Sequence, residues 1–305
     1  MNKQEIKVSI IIPTYGGRDT LKRAVDSVLR QNYDNVEIIV VDDNNPLTAE
    51  RCKTEKIMEE YSYNSKVKYI RQPQNGERSL ARNTGIEQSS GKYVMFLDDD
   101  DEFLKGKVLA QLDFMEKHQG EYSCCYSKYI NVDETGKVSM KCAENRSGFL
   151  MEEVLKRNMF VHAGSNLMVS KKIIDEVGMF NTSISSCEDV EFLARLIKKY
   201  KIGYVDYLGL IVHTDKGLSK NYGQNVKKYI STIKPLLQEL PKESRKRIVK
   251  RIQMQICRYD IRAKDFKSLK NRMKFYKIST FDLGRYFCHL LYRKITKKSY
   301  GYNQK

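Results

Sequence analysis

The sequence predicts an α/β fold: a mainly parallel sheet with helices on both faces, followed by a helical, basic C-terminal extension. Three observations predict it. Short apolar runs rich in Val and Ile alternate with stretches of helical spacing through the first hundred residues, the order of a parallel sheet. A run of four aspartates closes the last of these apolar runs, at a strand end where open α/β sheets bind ligands. The charge is split: residues 1–213 hold 30 Lys and Arg against 32 Asp and Glu, a net of −2, and residues 214–305 hold 25 against 6, a net of +19.

Each element follows from its spacing. Residues 8–12 are a strand stopped by Pro13, and residues 18–31 carry Leu21, Ala24, Val25, Val28 and Leu29 on one helical face. Residues 36–41 are a second buried strand, 48–61 a helix, 67–70 a short strand and 79–88 a helix. Residues 92–97 are the strand before the aspartates, and 103–118 the helix after them. Residues 122–132 read as a strand with a turn at Asp133-Glu134-Thr135-Gly136, then 149–156 as a helix and 166–170 as a strand. Residues 190–200 place Phe192, Leu193, Leu196 and Ile197 on one helical face, and 202–205 and 208–212 close the sheet. From about residue 222 onward only helices are expected, broken near Pro241 and Ser279-Thr280. The division is therefore an α/β domain over 1–221 and a basic helical extension over 222–305.

No run approaches eighteen apolar residues, so no membrane-spanning helix is expected. The N-terminus leads into a strand without an apolar signal segment, which makes the cytoplasm the expected compartment. Seven scattered cysteines with no Cys-x-x-Cys pair fit reduced thiols and argue against a zinc site.

The aspartate run Asp98-Asp99-Asp100-Asp101 is electrostatically costly. At ~4 Å and an effective dielectric near 20, each like-charged pair costs on the order of 4 kcal/mol. A hard divalent cation with oxygen ligands relieves that cost. The plain structural reading is an acidic helix N-terminus, but four in a row exceeds what capping needs. Two more clusters end strands and would share the same crevice: Pro13-Thr14-Tyr15-Gly16-Gly17 and Asp42-Asp43-Asn44-Asn45. Their plain readings are a strand-to-helix turn and a helix N-cap.

Four segments in order carry a resemblance: Val8-Ser9-Ile10-Ile11-Ile12-Pro13-Thr14-Tyr15; Glu37-Ile38-Ile39-Val40-Val41-Asp42-Asp43; Ala81-Arg82-Asn83-Thr84-Gly85-Ile86; and Gly91-Lys92-Tyr93-Val94-Met95-Phe96-Leu97 with the aspartates. Together they resemble family 2 glycosyltransferases of the GT-A fold over about residues 7 to 215. The resemblance implies inverting transfer of a sugar from a nucleotide diphosphate, usually UDP. It implies that Asp98 and Asp100 hold Mn2+ or Mg2+, with His213 as a further ligand, and that Asp99 contacts the donor. It places Pro13, Thr14, Tyr15, Asp42 and Asp43 around the nucleobase, and Arg82, with Arg78, near the phosphates. Asp101 is then left as the cap of the next helix, and His162 has no partner pattern. Asp189 in Cys187-Glu188-Asp189-Val190 matches the base that takes the acceptor's proton, with Glu188 beside it on the acceptor side. Residues 145–165 fall where the acceptor loop lies, and the segment after His213 where a lid often folds. One departure is Gly16-Gly17-Arg18, where the family usually has Asn and Arg or Glu.

The implied function is extension of a glycan or lipid-linked oligosaccharide, as in bacterial capsule, exopolysaccharide or O-antigen synthesis. The polycationic tail mixes Lys and Arg with aromatic residues, as interfacial helices do, so an anionic membrane surface is its expected partner and the inner face of the cell membrane its expected place. A solvated bundle packed on the catalytic domain is the plainer alternative. A nucleic-acid-binding role for the tail has no supporting motif, and no nucleic acid is expected. Another Asp-rich α/β nucleotide enzyme, such as a nucleotidyltransferase, would need a Gly-rich phosphate loop that is missing here.

Overall fold

In the computed structural model, which describes residues 5–184, 186–214, 222–299 and 301, strand β1 (Val8–Thr14) is buried at every position and lies inside the sheet. Parallel neighbours flank it: β2 (Val36–Asp42) on one side and β4 (Tyr93–Phe96) on the other, with β3 (Val67–Arg71) beyond β2. Helices α1 (Thr20–Leu29), α2 (Ala49–Glu59) and α3 (Glu77–Glu87) make the connections. The period of two sorts β1 between two cores. Ile10 and Ile12 pack with Leu21, Val25 and Val28 of α1, whereas Ile11 packs with Ile86 of α3 and Phe96. Each of these buried isoleucines contributes roughly 1.5–3 kcal/mol. Gly85 lets α3 approach that closely, since a Cβ there would stand 2.3 Å from Ile11.

The other half of the sheet departs from the expected parallel order. Strand β8 (Met168–Ser170) runs antiparallel to β4 and to β6 (Tyr122–Val132), and β7 (Val138–Cys142), absent from the expected elements, pairs antiparallel with β6. The two strands expected at 202–205 and 208–212 are one, β9 (Lys201–His213), parallel to β6 through a bulged register.

The helix expected at 103–118 starts later, as α4 (Lys107–Lys117). Glu102–Phe103 instead forms β5 against β9, because Phe103 N–H donates to Ser27 Oγ and Leu104 N–H to Gly209 O. Asn166, expected to open a strand, ends the short helix α6 (Ala163–Asn166) after α5 (Met151–Leu155). Its buried amide donates to Ser127 O and Val161 O and accepts from Lys107 Nζ, which holds it out of the ladder. Helices α7 (Lys171–Val177) and α8 (Glu188–Leu196) follow.

The extension comprises α9 (Tyr222–Gln238), α10 (Lys242–Arg262), α11 (Phe266–Phe275) and α12 (Thr280–Thr296), then β10 (Lys298–Ser299) beside β7. Tyr229, Ile233, Ile248 and Ile252 join Phe192 and Leu196 in the core of the sheet domain, so α9 and α10 pack on it. Met254, Cys257, Leu283 and Tyr286 form a separate, smaller core within the extension. Ser279 and Asp282 cap α12 reciprocally. A further break at residues 263–265, with Asp265 capping α11, was not foreseen. The expected domain boundary at 221 and the expected lid fall on 215–221, outside the described residues. Among the described residues no helix is long and apolar enough to cross a membrane.

Candidate active site

The strand ends of β1, β2 and β4 open on one cavity of about 760 Å³. Pro13, Thr14 and Tyr15 line it from β1, Asp43 from beyond β2, and Asp98 to Asp101 from beyond β4. The rest of the lining comes from Arg157, His162 and Gly164, then Glu188 and Asp189 at the start of α8, with His213 at the end of β9. Sequence-distant groups meet here because the strand registers are level: Thr14 pairs with Asp42, and Ile11 with Phe96.

The four aspartates have four different environments. Asp98 Oδ1 accepts from Arg82 Nη2 at 2.8 Å. Burial pushes its pKa upward, but Arg82 and His162 outweigh burial and hold the carboxyl below its usual range. Asp99 is buried, with Oδ2 accepting from the Thr14 hydroxyl at 2.6 Å and Tyr15 N–H at 3.4 Å. Burial drives it up to about 6. Asp100 accepts from Arg18 Nη1 at 2.7 Å, and burial followed by Asp101 raises it. Asp101 caps no helix: Oδ2 lies 2.9 Å from His162 Nε2, and Oδ1 accepts His213 N–H at 3.1 Å.

Strand parity separates Asp42 from Asp43. Asp42 is fully buried, 3.1 Å from Arg51 Nε, and accepts from the Tyr69 hydroxyl at 2.5 Å. Asp42, expected beside Asp43 at the donor, is therefore turned away from the cavity, which Asp43 lines. Asp43 accepts from Gly76 N–H at 2.8 Å and Asn75 Nδ2 at 3.0 Å, and burial raises it to about 6. Gly16 and Gly17 have φ of 86° and 60°, so the departure at these positions is a left-handed turn that favours glycine. Gly16 N–H donates to Asn44 Oδ1 at 2.7 Å, which ties this turn to the one after β2.

Arg82 was expected near the phosphates. It is 1% exposed and bridges Asp98 and Glu188, with Nη1 3.0 Å from Glu188 Oε1 and its guanidinium 5.3 Å from the Phe180 ring. It is thus a brace between Asp98 at the end of β4 and the head of α8. Arg78 lines the cavity from an exposed position. Asp189 sits in the first turn of α8, behind Cys187 in the left-handed conformation. Burial, then the neighbouring Glu188 charge, raises the Asp189 carboxyl, and Arg82 only partly offsets them. A raised carboxylate is a stronger base, as proton abstraction near neutral pH requires.

Asp98, Asp101 and His162 each offer a ligand atom, and these atoms all lie within 4.8 Å of one another. Two carboxylates and one imidazole make a mixed oxygen and nitrogen donor set that fits a divalent cation. Gly164 keeps the space clear: a Cβ there would stand 2.8 Å from Asp98 Oδ2. The expected set was Asp98, Asp100 and His213. Asp100 and His213 line the same cavity but lie outside this compact group, since Asp100 faces Arg18 and His213 Nε2 is 3.5 Å from Glu102. His162 and Gly164 were missed. Their only sequence signal was position in the acceptor-loop stretch, because the His162 contact spans 61 residues through a left-handed backbone turn at φ 53°.

Residues 9–178 match the family model "Glycosyl transferase family 2". An "Uncharacterized glycosyltransferase" of Rickettsia bellii is 32% identical over 227 residues, which is 72% of this chain and 31% of that one. The "Putative teichuronic acid biosynthesis glycosyltransferase TuaG" of Bacillus subtilis is 36% identical over 198 residues, 63% of this chain and 72% of that one. The chain spans about a third of the length of the first curated relatives it matches. Among solved structures, that of S. aureus TarS 1-349 in complex with UDP-GlcNAc aligns with TM-score 0.61 at 16% identity, covering 96% of this chain and 79% of the other.

Proposed function

Because the chain belongs to glycosyl transferase family 2, we propose that it moves a sugar, with inversion, from a UDP-sugar to a glycan or lipid-linked oligosaccharide acceptor in cell-surface polysaccharide synthesis. One observation carries the reading. Asp189, its carboxyl raised by burial, faces the same cavity as the strand-end aspartates, so a base and a donor-binding acidic cluster share one space. Asp189 takes the proton of the acceptor hydroxyl, the freed oxygen forms a bond to the anomeric carbon, and the bond from that carbon to the diphosphate breaks. The nucleoside diphosphate leaves on the opposite face.

The chain's own groups divide the remaining tasks. Tyr15, exposed at the cavity, stacks on the base, and Asp43 accepts from the base's N–H. Asp99 accepts from a donor hydroxyl while Thr14 and Tyr15 hold it in place. Arg82 fixes the spacing between Asp98 and Glu188, and Glu188 orients the acceptor. Asp98, Asp101 and His162 would hold Mn2+ or Mg2+, with Asp100 adjoining. The bound cation supplies charge stabilisation for the departing diphosphate.

Support for UDP comes from the TarS complexes with UDP-GlcNAc and UDP, and for a surface polysaccharide from the printed role of the B. subtilis relative. The test is a hydrolysis and transfer screen of UDP-, GDP- and dTDP-sugars with Mn2+ and Mg2+. UDP release from one UDP-sugar, dependent on added cation, is expected; turnover confined to another nucleotide would overturn the donor assignment.

A further inference from the structure

We propose that the outward face of α12 docks the protein on an anionic lipid surface. A helix on a protein surface ordinarily shows water a polar face. Helix α12 is apolar on both faces. Its inner side buries Leu283 and Tyr286 against Met254 and Cys257. Its outer side exposes Phe281 (70%), Leu291 (58%), Tyr292 (56%) and Ile295 (71%), with Cys288 exposed between them. Positions 281, 288, 292 and 295 fall on one helical stripe, about 21 Å long at the helical rise. Phe281, Leu291 and Ile295 stay exposed because the packing of α12 on α10 runs through its inner side, through Leu283 and Tyr286.

The surrounding charge selects the occupant. Arg285 and Lys294 lie on the helix, with Lys297 and Lys298 just after it, while Arg293 turns inward over the Phe160 ring at 4.2 Å. The one acid on α12, Asp282, is spent on the Ser279 cap and on Lys250 at 2.9 Å. Lys270, Lys274, Lys294, Lys297 and Lys298 have no carboxylate partner among the described residues. The neighbouring helix α11 buries no residue, and it exposes Phe266 and Phe275 along with Lys267, Lys270 and Lys274. An apolar stripe edged by unpaired ammonium groups matches a bilayer interface, where the apolar side chains enter the acyl boundary and the cations meet anionic headgroups. A second copy of the chain would bring like charges together around the stripe. A nucleic acid would engage the lysines and leave Leu291 and Ile295 without a role.

The full chain is floated with phosphatidylcholine vesicles and with phosphatidylcholine–phosphatidylglycerol vesicles, without donor, so that vesicle binding and sugar transfer fail separately. Wild type is expected on the anionic vesicles alone. Phe281→Gln/Ile295→Gln and Lys294→Gln/Lys298→Gln change only exposed side chains, and each pair is expected to weaken binding roughly tenfold. Far-ultraviolet dichroism should match wild type in both. Equal binding to neutral vesicles, or full binding by both variants, overturns the proposal. So does a dimer in solution that Phe281→Gln/Ile295→Gln dissociates while flotation persists.

Discussion

Arg18 stands where a cation would be expected to meet Asp100: its Nη1 lies 2.7 Å from Asp100 Oδ2 and 3.9 Å from Asp99 Oδ1. Both partners are partly exposed, and such pairs are worth at most about 1 kcal/mol. If Asp100 belongs to the metal set, the cation competes with Arg18 for it. Arg18→Ala should then bind Mn2+ more tightly in the absence of donor, by up to roughly fivefold. Titration calorimetry reads this directly. Unchanged affinity would confine the metal to Asp98, Asp101 and His162.

The Asp98–Arg82 contact has almost no slack, because Gly164 packs beside it. A Cβ at Gly164 would stand 2.8 Å from Asp98 Oδ2 and 3.2 Å from Arg82 Nη2. Gly164→Ala should therefore displace Asp98 and weaken Mn2+ binding by about tenfold or more, the size of effect seen when a ligand's supporting shell is disturbed. The same titration checks it, with thermal melting to show that the fold survives. Wild-type affinity would mean that Asp98 does not need its present position.

The strand-end acids were legible in the sequence because each follows a short apolar run, and a parallel sheet aligns such ends. The spacing ends the second strand at residue 41, one position early for Asp42. With β2 ending at Asp42, alternation turns that side chain inward to Arg51 and Tyr69 and leaves Asp43 for the cavity. Asp101 was misread for a different reason. Its role depends on His162, whose approach rests on an irregular loop with no periodicity to read. The antiparallel half of the sheet was harder to read because its strands are short: β8 has three residues, and β7 has five, although Val138, Met140 and Cys142 alternate with Ser139 and Lys141.

Asp189→Asn keeps shape and removes the base. Transfer should fall by about 10²–10⁴-fold while UDP binding stays near wild type. Glu188→Gln supplies a second reading of the same group. The Glu188 charge helps hold the Asp189 carboxyl up, and Glu188 also occupies Arg82. Neutralising Glu188 removes the first effect and frees Arg82 to favour the ionised base. The acidic limb of the kcat/KM profile should move to lower pH. A limb that stays in place, or rises, takes proton abstraction away from Asp189.

Asp99 links function to stability. Burial raises its carboxyl from 3.8 to about 6, so at neutral pH the folded protein holds a charge that its surroundings disfavour. Between about pH 4 and 6 the native state binds a proton that the unfolded chain has already released. Stability from this group is therefore lost as pH rises through that window. Asp99→Asn removes the charge and keeps an oxygen for the Thr14 hydroxyl. The variant should be more stable at pH 7.5, by on the order of 1–2 kcal/mol or about 2–4 °C in Tm, and the gain should vanish by about pH 4. Donor affinity should fall in the same variant, because a carboxylate positioned by Thr14 and Tyr15 accepts a hydroxyl better than an amide does. Thermal melts across pH decide it: a gain that persists undiminished at pH 4 would mean that the charge of Asp99 is not what the fold resists.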